Sequence, residues 1–188
     1  MTGFNSRGVV ILALIGAAVA TLCDGIHVYT DTLAYPEHNW FGQPWWVFPN
    51  FFVVFVAMAL VYRMLSGVMP GTAASTRPGD LRAFIETLTL FALVYTLSGF
   101  GNHDPQALCL VFYISFALRW LVTYDRGFML VLSVLMAIGG MVGEGLLTKM
   151  DMVHYREPDI FGVPWWLGGL YMHGAFALRE GYRCFIGR

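Results

Sequence analysis

The chain has 188 residues, of which 57% are hydrophobic, 16% aromatic and 12% charged. A soluble domain carries about 25% charged residues, so this composition excludes disorder, a nucleic-acid binder and an ordinary soluble enzyme. With 11 basic and 12 acidic side chains the formal net charge is −1, which leaves no electrostatic footprint for an acidic partner, and the apolar content points to a membrane.

Six long apolar segments follow one another along the chain. They cover approximately residues 8–25, 44–63, 82–100, 106–124, 127–148 and 162–180. A helix rising 1.5 Å per residue needs about 20 residues to cross a bilayer, and each segment is of that order. None alternates with a period of two, which argues against a transmembrane β-barrel. The expectation is an all-α membrane protein, one six-transmembrane-helix domain occupying 1–188.

The basic residues orient it. With the N-terminus inside, Arg7, Arg63, Arg77, Arg82, Arg119, Arg126, Arg179, Arg183 and Arg188 fall on one side, leaving Lys149 and Arg156 opposite. Cytoplasmic connections carry such an excess, so both termini are expected to be cytosolic. A rival reading takes Val9 to Val19 and the small residues Ala18-Val19-Ala20 as a cleaved signal peptide. An internal repeat favours a retained helix.

That repeat lies in the outer hairpins. Tyr35 is followed six residues later by Phe41-Gly42-Gln43-Pro44-Trp45-Trp46, and Tyr155 six later by Phe161-Gly162-Val163-Pro164-Trp165-Trp166. Asp31 and Asp151 share the same offset of 120, which pairs the first span with the fifth. Four spans separate the copies, so the repeat is parallel and both copies lie on one face. Pro44 and Pro164 are expected at the first helical position, with the tryptophans as headgroup-level anchors. Alternatively, the hairpins frame a lipid-accessible site.

Ionisable groups at membrane depth cost a few kcal/mol unless paired or hydrated. His173 is the deepest, in the sixth span; Glu144 is about a turn from the outer end of the fifth. Glu86 is expected to pair with Arg82, Arg119 to snorkel, and Asn50 to bond a backbone group freed by a kink at Pro49. His173 reads first as a hydrogen-bonded packing residue. His27, His38, His103, His154 and His173 show no metal-binding spacing, and no metal or cofactor is expected. Cys23, Cys109 and Cys184 contain no C-x-x-C; Cys23 and Cys109 are near enough to one surface to meet, although free buried thiols fit an odd count better.

Three segments in order carry a resemblance: Trp45-Trp46-Val47-Phe48-Pro49, Trp120-Leu121-Val122-Thr123-Tyr124-Asp125-Arg126, and Tyr155-Arg156-Glu157-Pro158-Asp159-Ile160 leading to Trp166. The chain resembles the Insig (insulin-induced gene) family of six-span membrane proteins over nearly its whole length. It looks like a short bacterial homologue, lacking the family's Ser-Arg-Ser stretch after Asp125-Arg126. The resemblance implies a non-enzymatic lipid- or sterol-binding protein, with Asp125 at the position of the family aspartate that binds partner proteins.

Taken together, the expected function is a lipid- or sterol-binding integral membrane protein whose ligand sits in a cavity between the helices. Trp46, Asn50, Glu144, Trp166 and His173 are the expected lining. Small-residue stretches such as Gly139-Gly140 with Gly143 favour helix association, hence a homo-oligomer, with a partner membrane protein as a further expectation and no nucleic acid. The membrane would be the bacterial cytoplasmic membrane, or the endoplasmic reticulum in a eukaryote. The alternative is an intramembrane enzyme on an isoprenoid, with Glu144 or Asp104 as acid and His103 or His173 as its partner. A small transporter is a third reading, weakened because the repeat is parallel.

Overall fold

The computed structural model describes residues 5–69, 77 and 79–187. Among the described residues six α-helices and one two-stranded sheet follow in the order α1 (Ser6–Tyr29), β1 (Leu33–Ala34), α2 (Val47–Val68), α3 (Leu81–Phe100), α4 (Pro105–Val122), α5 (Arg126–Lys149), β2 (His154–Tyr155) and α6 (Trp166–Phe185). Local chemistry marks several starts. The side chains of Asn5, Asp80 and Asp104 accept from the backbone N–H groups of Gly8, Arg82 and Ala107, which satisfies donors that the first turn leaves orphaned. Pro105 stands just inside the start of α4, where its missing N–H costs nothing.

Five helices, α1 to α5, are long and apolar enough to cross a membrane. The sixth is different. α6 carries His173, Arg179, Glu180 and Arg183, yet sixteen of its twenty residues are buried, whereas α2 buries only Val47, Ala59 and Tyr62. α6 is therefore the central rod. It contributes Phe176 and Leu178 to one apolar cluster with Leu12, Tyr62, Phe84 and Phe128, and Trp166 and Leu170 to a second with Phe91, Leu108 and Phe112. A helix enclosed by others need not be apolar all round, because its polar groups meet protein rather than lipid.

Asn5 at the start of α1 donates its side-chain amide to the carbonyl of Phe185 at the end of α6, 2.9 Å away. The first and last helices thus begin and finish at one end of the bundle, here termed the arginine end. At the opposite, hairpin end, β1 pairs antiparallel with β2, Leu33 against Tyr155 and Ala34 against His154. The two copies of the sequence repeat are thereby in direct contact.

Their turns share the same backbone pattern. Phe41 and Phe161 both adopt positive φ (51° and 55°), followed by Gly42 and Gly162 at 74° and 80°, where only glycine is comfortable. Asn39 and Asp159 donate their N–H groups to the Gln43 and Val163 carbonyls, and their side chains accept from the Trp45 and Trp165 N–H groups. A tight Phe-Gly turn closed in this way needs the same residues twice, which is why the repeat survives in the sequence.

Several boundaries differ from the sequence expectation. Pro44 and Pro164 do not open helices; their carbonyls accept from Val47 and Leu167, forming a turn before α2 and α6. α2 then runs past Arg63 to Val68 and α6 past Leu178 to Phe185, because a helix need not stop where the polar residues begin. Pro49 lies in the first turn of α2, where no bond is lost, and Asn50 donates normally to the Trp46 carbonyl, so no kink frees a backbone group. Arg82 and Glu86 do pair, at 2.8 Å on an exposed surface. Cys23, Cys109 and Cys184 are all free, and Cys23 and Cys109 form no bridge.

Candidate functional site: an apolar cavity with a polar end

Between α1, α2, α3, α5 and α6 lies a cavity of about 490 Å³. Its walls are apolar, from Leu12, Phe55, Met58, Leu88, Phe91 and Met136 among others. α4 takes no part, because α6 stands between it and the cavity. Val61, Leu135, Leu146 and Met150 line the cavity and are 40–59% exposed, so it opens sideways between α2 and α5. Gly139 and Gly143 of α5 also line it, and a Cβ added at either would meet nothing within 4 Å. Gly140 differs: a Cβ there would lie 2.4 Å from the Tyr171 ring.

Toward the hairpin end the lining turns polar, with Asn50, Tyr95, Glu144 and Tyr171. Glu144 accepts from the Tyr171 hydroxyl at 3.0 Å and from the Tyr155 hydroxyl at 3.3 Å. Behind Tyr95 lies Asp24, 3% exposed, which accepts from the hydroxyls of Tyr35 (2.6 Å) and Tyr95 (3.4 Å) and from the Gln43 side chain (2.8 Å). Burial, reinforced by the neighbouring carboxyls, pushes the Tyr35 and Tyr155 phenols well above their usual range, so both remain neutral donors. Among the described residues no lysine, arginine or histidine pairs with Asp24 or Glu144.

This cluster is the repeat expressed in chemistry. Asp24 and Glu144 are separated by 120 positions, as are Tyr35 and Tyr155, so each hairpin supplies one carboxyl and the tyrosine that holds it. None of Asp24, Tyr35, Gln43, Tyr95 and Tyr171 is among the lining residues expected from the sequence, although Tyr35 and Gln43 stand in the repeat. The offset that aligns the Phe-Gly turns would have found the first two; Gln43, Tyr95 and Tyr171 carry no such mark.

The expected lining residues separate. Asn50 and Glu144 stand in the cavity wall; Trp46, Trp166 and His173 do not. Trp46 is half-buried and sets its ring edge-on to Tyr35, 5.6 Å between centroids. Trp166, its counterpart in the repeat, is 0% exposed and packs against His27 and Phe112 instead of anchoring at a membrane surface, while Trp45 and Trp165 remain 71% and 50% exposed. The repeat has assigned one tryptophan of each pair outward and the other inward. His173 faces α4: its Nε2 lies 3.1 Å from the Phe112 carbonyl and from Ser115 Oγ, and Nδ1 is 2.9 Å from the Arg119 guanidinium. A neutral ring that donates from Nε2 and accepts at Nδ1 satisfies all three groups. Arg119 accordingly turns inward, 4.1 Å above the Phe176 ring, and does not snorkel.

The acids of the enzymatic alternative are not assembled with a base. Asp104 is exposed and caps α4; His103 bonds the Phe100 carbonyl; Glu144 is held by tyrosines. His27, in α1, is 0% exposed and bonded to Ser98 Oγ at 2.7 Å. Among the described residues no cluster of three or more metal-ligating side chains occurs.

At the arginine end, Arg179 and Arg183 both bond Glu180, at 2.8 and 3.1 Å, and all three are at most 5% exposed. Tyr124, in the turn between α4 and α5, donates to Glu180 at 2.5 Å, accepts from Arg183 and lies under the Arg179 guanidinium at 3.9 Å. Burial and the bond to Glu180 push its phenol up to about 12. Asp125 follows it in a left-handed conformation at the start of α5, so the position singled out for partner binding belongs to this end and not to the cavity's polar end.

Two solved structures share this arrangement. A mycobacterial Insig homologue, MvINS from Mycobacterium vanbaalenii, superposes with a TM-score of 0.79 over 100% of this chain and 98% of that one, at 21% identity. The chain has the Insig fold. A cross-linked trimer form of MvINS matches with a TM-score of 0.76 at 22% identity, covering 96% of this chain and 95% of that one. No protein-family model and no curated protein matches the sequence. The sequence resemblance and the Insig fold therefore agree over the whole chain.

Proposed function

We propose that this Insig-like protein is a non-enzymatic, lipid-binding integral membrane protein that holds one lipid or sterol-like amphiphile in the cavity between α1, α2, α3, α5 and α6. All six helices cross the bilayer, α6 within a sheath of the other five. The hairpin end faces outward and the arginine end faces the cytosol with both termini, as the distribution of basic residues requires. One observation carries the reading: the cavity is apolar along its walls, polar at one end and open sideways toward lipid. An amphiphile places its tail in such a cavity and its head among the few polar groups, and about 490 Å³ falls within the size of ordinary ligand sites.

The same fold in a protein captured as a cross-linked trimer supports self-association as the working unit. Asp125, half-buried in the turn before α5, is the proposed contact for a partner membrane protein. A photoactivatable lipid analogue tests the cavity assignment. Labelling of α2 and α5 at Val54, Gly139 or Gly143 is the expected result; labelling confined to the outer faces of α3 and α4 would contradict it. A reporter fused after Arg188 should be cytosolic.

A further inference from the structure

We propose that the head of the bound amphiphile is a protonated amine, seated against Glu144 at the polar end of the cavity. The inference rests on the lipid-binding reading and adds the chemistry of the head. Two carboxyls are enclosed here, each hydrogen-bonded only by neutral groups: phenols, and for Asp24 one amide. Glu144 uses one lone pair on each oxygen for Tyr171 and Tyr155, which leaves acceptor capacity on both, and it stands in the cavity wall. Asp24 lies one tyrosine further back and adds a second acidic group in the same low-dielectric wall.

The comparison within the molecule sharpens this. Where the fold buries charge for its own stability, at Glu180, it places two guanidiniums on it. At Glu144 and Asp24 it places none among the described residues. A buried carboxylate is tolerated when a cation pairs with it, and the cavity is the route by which a cation can arrive. A phosphate or carboxylate head would meet like charge, and an alcohol would bring a hydrogen bond without a compensating charge. An ammonium brings the hydrogen bond, the countercharge and the attraction of both acids. Asn50, whose side-chain amide makes no hydrogen bond among the described residues, can offer its oxygen as a further acceptor.

Three amphiphiles with the same tail test the assignment: oleylamine, oleyl alcohol and oleic acid, presented together in equal amounts to the full chain in mild detergent and read by native mass spectrometry. Gly139→Phe, which fills the open side of the cavity, corrects for detergent partition. The expected result is cavity-dependent oleylamine binding at least about tenfold above the other two, a difference of about 1.4 kcal/mol. Glu144→Gln should abolish the preference while leaving oleyl alcohol unchanged, and Asp24→Asn should reduce it. Equal binding of amine and alcohol, or a preference that survives Glu144→Gln with an unchanged melting temperature, overturns the proposal and leaves the lipid-binding reading standing. Absence of cavity-dependent binding by any of the three overturns both.

Discussion

The two ends of the bundle bury acidic groups in opposite ways. At the arginine end Glu180 is clasped by Arg179 and Arg183, capped by Tyr124, and lies outside the lining of the apolar cavity. At the hairpin end Glu144 and Asp24 are held by tyrosines, carry no basic partner among the described residues, and Glu144 faces open space. A charge that serves the fold is paired within the fold. The amine head proposed for the cavity would give Glu144 the basic partner that it lacks among the described residues.

The largest effect should come from breaking the paired end. Glu180→Ala removes the carboxylate that both buried guanidiniums bond and should cost about 3–5 kcal/mol, measured by unfolding in mixed micelles. Next is Gly140→Leu, whose side chain collides with the Tyr171 ring; about 1–3 kcal/mol is expected from overpacking. Gly139→Leu, one residue away, should melt like the parent yet lose bound lipid, because its side chain enters open space. That pair separates the cavity from the fold within a single turn of α5. Glu144→Gln should change stability by about 1 kcal/mol, since the amide oxygen keeps one tyrosine bond while the NH2 faces the other hydroxyl, which must turn to accept. Arg82→Ala removes an exposed pair and should leave the melting temperature unchanged.

Much of the fold could be read from the sequence because a bilayer imposes a length on each apolar run, and the Phe-Gly-x-Pro-Trp-Trp repeat marks where two hairpins must turn alike. Even so, α6 was legible only as one more apolar segment. Its central place follows from packing: Gly168 and Gly169 bring it against Tyr113 and Phe112, and the other helices cover its arginines. The site was half legible. Glu144 and Asn50 stand out as polar residues in apolar runs, and the structure puts both in the cavity wall. His173 and Trp166 stand out equally, yet they face α4 and the hairpin core, because one helix offers several faces and composition does not say which is turned inward. Asp24 stands 120 positions before Glu144, the offset of the repeat, and the structure gives each carboxyl the corresponding tyrosine of its own hairpin. Tyr95 and Tyr171 reach the carboxyls from α3 and α6, a contact that only tertiary structure reveals.

The most direct test is the lipid content of the protein itself. After extraction in mild detergent, native mass spectrometry of the parent chain should show one bound amphiphile per chain, and Gly139→Phe, folded to the same melting temperature, should show none. Equal lipid occupancy in the two proteins, or an empty parent chain, would contradict the account.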